Sequence, residues 1–81
     1  MAFTYVYILV SESDSSRHYT GRTHDLESRL KRHNRGDVPH TAKYCPWRLE
    51  TFTAFADEEK AVAFERYLKS GSGREFSRRH F

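Results

Sequence analysis

One stretch of the chain, from Phe3 to Val10, is a nearly unbroken run of β-branched and aromatic residues, FTYVYILV. Such a run lacks the polar alternation of a strand with one wet face, so it predicts a strand that is covered on both sides and is central in its sheet. The chain has 81 residues, which suits one domain over residues 1–81 rather than two. A central strand in so short a chain favours a small sheet with helices packed on it.

The rest of the sequence supplies the elements around this central strand. After a polar turn at 11–16, the predicted elements are a strand at 17–22, a helix from Asp25 to about Arg35, a loop over 37–46, a strand at Trp47–Phe55, a helix from Asp57 or Glu58 to about Lys69, and a short helix from Arg74. Gly36 is expected to end the first helix, and the glycines at 71 and 73 are expected to end the second. This order predicts an α+β fold, in which a small antiparallel sheet carries helices.

The charges are distributed unevenly along the chain. The net charge is only +3, but residues 17–36 hold six Arg or Lys against two acids, and residues 66–81 hold five against one. Between them, residues 50–65 hold five acids and one lysine. Two basic segments that flank an acidic one suggest an anionic partner at one face of the molecule. The alternative is an ordinary solvated surface.

The sequence lacks the features of a membrane or secreted protein. No apolar run approaches the ~20 residues of a transmembrane helix, and the N-terminal segment has no basic region typical of a signal peptide. The single cysteine, Cys45, cannot form an internal disulfide, which fits a reducing compartment. We therefore expect a cytoplasmic protein with no membrane partner.

A zinc site is a further alternative, because the chain has five histidines and one cysteine. The candidate ligands are His18, His24, His33, His40 and Cys45. Their spacing matches no paired motif of a structural zinc site, so the sequence disfavours this alternative.

The first predicted helix carries two polar residues on the face that should point inward. That face is defined by the i, i+3, i+4, i+7 spacing of Leu26, Arg29, Leu30 and His33. Arg29 could bury its stem and extend its guanidinium to water, and His33 could be a helix-end histidine that favours the dipole. The alternative is that both belong to a functional site.

Glu65 is a similar anomaly in the second predicted helix. It lies between Ala61 and Leu68, within the apolar stripe of that helix. Because a carboxylate is rarely buried without a partner, Glu65 is a candidate ligand or catalytic group. It could instead form a structural ion pair with Arg29.

The tyrosines of the first two strands are the third candidate element. Tyr5 and Tyr7 project from one face of the first strand, and Tyr19 lies on the second. We expect Tyr5 to pack as an aromatic ring. A hairpin would bring Tyr7 and Tyr19 side by side next to the first helix.

These motifs together resemble one family of nucleases. Tyr5-Val6-Tyr7, then Tyr19-Thr20-Gly21, then Arg29, His33 and a helical Glu65 are similar to the pattern of the GIY-YIG nuclease domain. The block YTGRTHDLESRLKRHNRG resembles the second strand and first helix of that family. The resemblance is nearest to small stand-alone members related to the N-terminal nuclease domain of the excision-repair excinuclease. Tyr5 and Thr20 depart from the family pattern at a glycine and an isoleucine.

The resemblance implies a three-stranded antiparallel sheet flanked by helices, and hydrolysis of DNA phosphodiester bonds with one divalent ion, Mg²⁺ or Mn²⁺. It implies that Glu65 holds the metal and that Tyr7 is the general base. The reference pKa of a tyrosine is about 10, so positive charge from the metal, Arg29 or His33 would have to assist Tyr7. Arg29 would also bind the phosphate, Tyr19 would hydrogen-bond the water or phosphate, and His33 would support Tyr7 or share its proton.

The basic segments then become candidates for contacts with the nucleic-acid backbone. These candidates are Arg17, Arg22, Lys31, Arg32, Arg35, Lys69 and Arg74. Trp47 could stack on a base or belong to the core. Backbone contacts predict an endonuclease that selects a DNA structure rather than a sequence, in repair or recombination. RNA stays open as a substrate, and a partner subunit or a homodimer stays open as an assembly. The alternative is a non-catalytic nucleic-acid-binding module, or a nuclease subunit that is active only within a complex.

Overall fold

A computed structural model describes residues 2–81, which form three strands and four helices. In chain order these are β1 (Thr4–Ser11), β2 (His18–Thr23), α1 (Leu26–Asn34), α2 (Pro39–Ala42), β3 (Trp47–Phe55), α3 (Glu58–Leu68) and α4 (Gly71–His80). The predicted α+β fold with a three-stranded antiparallel sheet and flanking helices is confirmed. None of the helices within residues 2–81 combines the length and the apolar character that crossing a membrane requires.

β1 is the central strand of the sheet, as its sequence predicts. The strand order is β2-β1-β3, and both pairings are antiparallel. Residues 6–10 of β1 are all buried, because side chains on both of its faces are covered by helices. The apolar run from Phe3 to Val10 is thus explained by burial on two sides.

Each face of the sheet has its own core. α1 and α2 cover the face from which Tyr7 and Leu9 project, together with Trp47. α3 and α4 cover the opposite face, where Ala61 and Leu68 pack on β1. The polar candidates of α1 and α3 therefore approach the sheet from opposite sides.

Capping fixes where the two longer helices begin. The Asp25 carboxylate accepts a hydrogen bond from the Ser28 backbone N–H at 3.0 Å, and Asp57 does the same for the Glu59 N–H at 2.9 Å. These side chains satisfy donors that the first turn of a helix leaves free. α1 ends just before Gly36, whose φ of 78° is easily adopted only by glycine.

The structure corrects two predictions about the helices. The segment 37–46 contains a short helix, α2, because Pro39 at its first position is preorganised for helical φ. α4 begins at Gly71 and not at Arg74, since the Ser70 hydroxyl caps it by accepting from the Gly73 N–H at 3.1 Å. Gly73 does not act as a helix stop. A side chain at Gly73 would collide with the Tyr67 carbonyl, so this glycine lets α4 pack closely on the end of α3.

Candidate active site

Tyr7 lies at the middle of β1 and is almost fully buried, with 2% of its surface exposed. Gly21 is its direct partner on β2. A methyl group at Gly21 would collide with the ring and hydroxyl of Tyr7. The glycine therefore provides the space in which the Tyr7 hydroxyl lies across β2, and it fixes the direction of that hydroxyl.

The Tyr7 hydroxyl begins a chain of buried hydrogen bonds that ends on the backbone of α2. It lies 2.9 Å from Nε2 of His33, and Nδ1 of His33 lies 2.8 Å from the Thr41 hydroxyl. That hydroxyl donates to the Val38 carbonyl at 3.2 Å. His33 and Thr41 both have 0% of their surface exposed, so protein groups alone satisfy the two ring nitrogens.

This chain assigns the tautomer of His33. A threonine hydroxyl has one proton, and Thr41 uses it on the Val38 carbonyl. Its oxygen must therefore accept from His33, which places the ring proton on Nδ1. Nε2 is then unprotonated and accepts the Tyr7 O–H. The arrangement can accept the Tyr7 proton at Nε2 while the other side of the ring stays anchored.

Tyr19 closes the side of this chain that faces β2. Its ring centroid lies 6.3 Å from that of Tyr7 and 4.9 Å from the His33 ring. The predicted hairpin thus brings Tyr7 and Tyr19 side by side next to the first helix, as expected. Tyr19 is half-buried, whereas Tyr7 is enclosed, so Tyr19 forms the outer wall of the site.

α2 is held in place by the start of β3. The indole Nε1 of Trp47 donates to the Thr41 carbonyl at 2.8 Å, and Trp47 is buried in the core. Asn34 at the end of α1 binds both backbone groups of Trp47, at 2.6 Å and 3.0 Å. Trp47 therefore is a core residue, and the suggestion that it stacks on a base is wrong.

Glu65 is the carboxylate of α3 that approaches the β2 edge, with 17% of its side chain exposed. Its Oε1 accepts from Arg22 of β2 at 3.0 Å, and its Oε2 accepts from Lys69 one turn further along at 3.0 Å. The expectation of an ion pair with Arg29 is wrong, because Arg22 takes that place. Both carboxylate oxygens are thus bound by cations.

The charges around Tyr7 and His33 shift both groups toward their neutral forms. Burial raises the pKa of Tyr7 well above its ordinary value, and the charge of Arg29 only partly opposes this. Burial, followed by the positive charge of Arg29 and Arg32, lowers the pKa of His33. His33 is therefore neutral near pH 7 and supplies a hydrogen-bond acceptor, not the positive charge that was one sequence-based option.

Arg29 and Glu65 lie near enough to Tyr7 for both charges to act on its pKa, in opposite directions. Arg29 reaches the site because it lies one turn before His33 on the inner face of α1, as the periodicity predicts. Glu65 reaches it from the other side of the sheet, around the short β2 edge. The five residues expected in the catalytic set thus surround one point at that edge: Tyr7, Tyr19, Arg29, His33 and Glu65.

A metal ion would find one carboxylate at this point. In the part of the chain that the structure describes, no three His, Cys, Asp or Glu side chains are grouped to hold a metal. Mg²⁺ nevertheless binds through one or two carboxylates, keeping several waters and using substrate phosphates as further ligands. Glu65 fits such an ion, provided that Arg22 and Lys69 give up its oxygens.

The residues predicted to contact nucleic acid divide into three groups. Arg22 and Lys69 are bound to Glu65 at the site itself. Three others pair with an acidic neighbour on the surface, namely Arg17, Lys31 and Arg35. Within residues 2–81, Arg32 and Arg74 form no ion pair and are exposed. The structure thus brings two of the seven together with the site and leaves the other five on the surface.

Thr41 is the residue of this site that sequence reasoning missed. It lies in a segment predicted as a loop, and a lone threonine carries no chemical signal. The one available indication was Pro39, which favours the first turn of a helix. That short helix brings the Thr41 hydroxyl to within hydrogen-bonding distance of His33.

Comparison with known proteins agrees with this geometry. Residues 3–79 match the family model described as the GIY-YIG catalytic domain. A UPF0213 protein of Clostridium perfringens is 39% identical over 66 residues, which cover 80% of this chain and 69% of that protein. A UPF0213 protein of Halalkalibacterium halodurans is 38% identical over 71 residues, covering 86% of this chain and 73% of the relative.

A third relative carries a functional name. A Giardia intestinalis protein named structure-specific endonuclease subunit SLX1 homolog is 38% identical over 65 residues. The match covers 73% of this chain but only 18% of that protein. No solved structure gives a significant match.

Proposed function

Since the chain belongs to the GIY-YIG family, we propose that it is an endonuclease that hydrolyses phosphodiester bonds in DNA with one divalent ion, Mg²⁺ or Mn²⁺. The observation that carries this proposal is the buried chain from Tyr7 through His33 to Thr41. It ends in a hydroxyl that already has a base attached. A structural tyrosine needs a hydrogen-bond partner, but it does not need a histidine held in one tautomer.

Tyr7 is the group that takes a proton from the attacking water. Burial disfavours both the Tyr7 phenolate and the His33 imidazolium as separate ions, as the pKa directions indicate. We therefore propose that Tyr7 passes its own proton to Nε2 of His33 while it accepts one from the water. The hydroxide then attacks phosphorus, the bond to the 3′ oxygen breaks, and that oxygen takes a proton from solvent.

The other three residues act on the phosphodiester. Arg29 binds the non-bridging oxygens with its planar guanidinium, which suits two parallel hydrogen bonds better than a lysine does. Tyr19, at the outer wall, hydrogen-bonds the water or the phosphate. Glu65 holds the divalent ion, which when bound polarises the phosphoryl group and stabilises the leaving oxygen.

The proposed substrate preference is for DNA structure or backbone and not for sequence. Exposed cations such as Arg32 and Arg74 suit contacts to phosphates, which carry no sequence information. The name of the Giardia relative, a structure-specific endonuclease subunit, supports the same preference. A role in DNA repair or recombination follows, and cleavage of RNA belongs in the same test.

A second candidate is a nuclease subunit that is active only within a complex, or a binding module without turnover. Two observations favour it. Both oxygens of Glu65 are bound by cations, and burial keeps Tyr7 protonated. A partner subunit, or a second copy of the chain, could be what releases these groups.

The test is a cleavage assay on branched, flapped, nicked and single-stranded DNA, with matched RNA, in Mg²⁺ or Mn²⁺. Glu65→Gln and Tyr7→Phe should each lower the cleavage rate at least about 100-fold, the lower range of general-base effects. The matched controls are Glu59→Gln, an exposed carboxylate on the same helix, and Tyr5→Phe on the same strand face. Both controls should cleave like the wild type.

Each outcome decides one part of the proposal. If the wild type cuts nothing in this panel, the free-standing enzyme is refuted and the second candidate stands. If Glu65→Gln cuts at the wild-type rate, Glu65 does not hold the ion. An active Arg29→Lys variant would show that Arg29 has a structural role only.

A further inference from the structure

A groove runs between the sheet and α4, on the face opposite to His33. Its volume is about 770 Å³, within the range of ordinary ligand sites. The floor contains the buried side chains of Ile8 and Leu68, and Phe81 forms part of the wall. Phe81 is 43% exposed, so an aromatic surface is available to a ligand there.

The rim of this groove is positively charged. Lys69, Arg74 and Arg78 line it from the side of α3 and α4. The acid that lines it, Glu50, lies 3.5 Å from His18 across the sheet. An apolar floor under a cationic rim selects a ligand that carries both flat apolar groups and repeated negative charges.

The groove is continuous with the candidate active site. Lys69 lines the groove and also donates to Glu65, the carboxylate proposed to hold the ion. Tyr19 lines the groove from β2, and its ring also lies against His33. A strand whose phosphate lies at Glu65 can therefore continue into the groove without a break.

We propose that this groove binds the unpaired strand of the nucleic-acid substrate, next to the bond that is cut. The inference rests on the proposed nuclease function and adds the substrate class. In a duplex, the flat faces of the bases are stacked inside, whereas an unpaired base can lie on Phe81 while its phosphates contact Arg74 and Arg78. The preferred substrate is therefore a junction of duplex and single strand, such as a flap.

The test measures binding of fluorescent oligonucleotides to the full chain by anisotropy, in EDTA so that no cleavage occurs. The probes are a poly-pyrimidine single strand, a blunt duplex and a duplex with a single-stranded tail. The double variant Arg74→Ala/Arg78→Ala should weaken single-strand and tail binding about tenfold and leave duplex binding within twofold. Its salt slope on the single strand should be shallower by about 1.4, since each lost phosphate contact removes about 0.7.

Arg79→Ala is a closely matched control. Arg78 and Arg79 both bind Glu75 on the same helix, but only Arg78 lines the groove. Arg79→Ala should therefore bind every probe like the wild type. Phe81→Ala should weaken single-strand binding about fivefold or more, and Phe81→Tyr, which keeps the ring, should restore it.

Equal losses for single strand and duplex, or an equal effect of Arg79→Ala, would overturn the proposal. The outcome is independent of cleavage. Loss of single-strand preference in an enzyme that still cuts refutes the groove and leaves the proposed function standing. A chain that binds single strands through the groove but never cuts refutes the enzyme and leaves the groove standing.

Discussion

Replacing Thr41 with valine tests the hydrogen-bond chain behind Tyr7. Valine has the shape of threonine, so packing around this buried position stays filled. The change removes only the hydroxyl that accepts from Nδ1 of His33 at 2.8 Å. The Val38 carbonyl keeps two backbone donors, Thr41 N–H at 3.0 Å and Ala42 N–H at 3.1 Å, so it remains satisfied.

The expected cost is that of one orphaned buried donor. His33 has no exposed surface, so water cannot replace the lost partner. Such a donor costs about 1–3 kcal/mol, and each kcal/mol lowers the melting temperature of a domain of this size by roughly 4–8 °C. The ring can avoid this cost by moving its proton to Nε2, but the Tyr7 hydroxyl then loses its acceptor.

The assay combines thermal unfolding with nitrogen NMR of the histidine rings. The wild type should show His33 protonated on Nδ1 and bare on Nε2. Thr41→Ser should keep that pattern, with a loss of about 1 kcal/mol for the missing methyl group. Thr41→Val should disturb the pattern and slow any DNA cleavage, because Nε2 no longer waits for the Tyr7 proton.

A double-mutant cycle with His33→Leu separates this mechanism from a general packing effect. If Thr41 acts through His33, Thr41→Val should cost about 1–3 kcal/mol less in the His33→Leu background than in the wild type. An undiminished cost there, or a wild-type ring protonated on Nε2, would refute the reasoning.

Three further predictions use the same site. Because burial lowers the pKa of His33 below its ordinary value of 6.5, the unfolded chain takes up a proton that the folded chain refuses as the pH falls below 6.5. The free energy of unfolding should then fall by up to about 1.4 kcal/mol per pH unit, down to the folded-state pKa. Urea unfolding from pH 7 to 5 should show this slope, and His33→Gln should remove it; an equal slope in the variant contradicts the assignment. Gly21→Ala should push the Tyr7 hydroxyl away from His33 and destabilise the protein by about 1–3 kcal/mol, which urea unfolding and the ring NMR signals can detect; an unchanged Tyr7–His33 bond contradicts it. Asn34→Ala should cost about 1–3 kcal/mol, since both backbone groups of Trp47 lose a partner; Trp47 fluorescence during unfolding measures this, and a wild-type midpoint would refute it.

The fold could be predicted because its strongest signals are local. The run in β1, the Asp25 and Asp57 caps and the glycine at 36 each act within a few residues, and all appear where predicted. The errors arose where tertiary packing overrides a local signal. Gly73 reads as a helix stop, yet its missing side chain allows a close contact with Tyr67 inside a new helix.

The site could be predicted in its residue types but not in its connections. Helical spacing alone brings Arg29 and His33 to the same inner face. The ion pairs of Glu65 could not be predicted, because Arg22 is 43 residues away in sequence and meets it only across the sheet edge. Thr41 depends on the same kind of long-range placement, since Trp47 and Asn34 hold the short helix that carries it.

The two cations on Glu65 couple metal binding to substrate binding. If Glu65 is the metal ligand that we propose, an arriving divalent ion competes with Arg22 and Lys69 for the same two oxygens. A phosphodiester nearby gives both cations another anionic partner and so frees the carboxylate. Coupling free energies are reciprocal, so the ion must raise the affinity for nucleic acid by the factor by which nucleic acid raises the affinity for the ion. The ion pairs thus act as a lock with two keys, in which neither metal nor substrate binds strongly until the other is present.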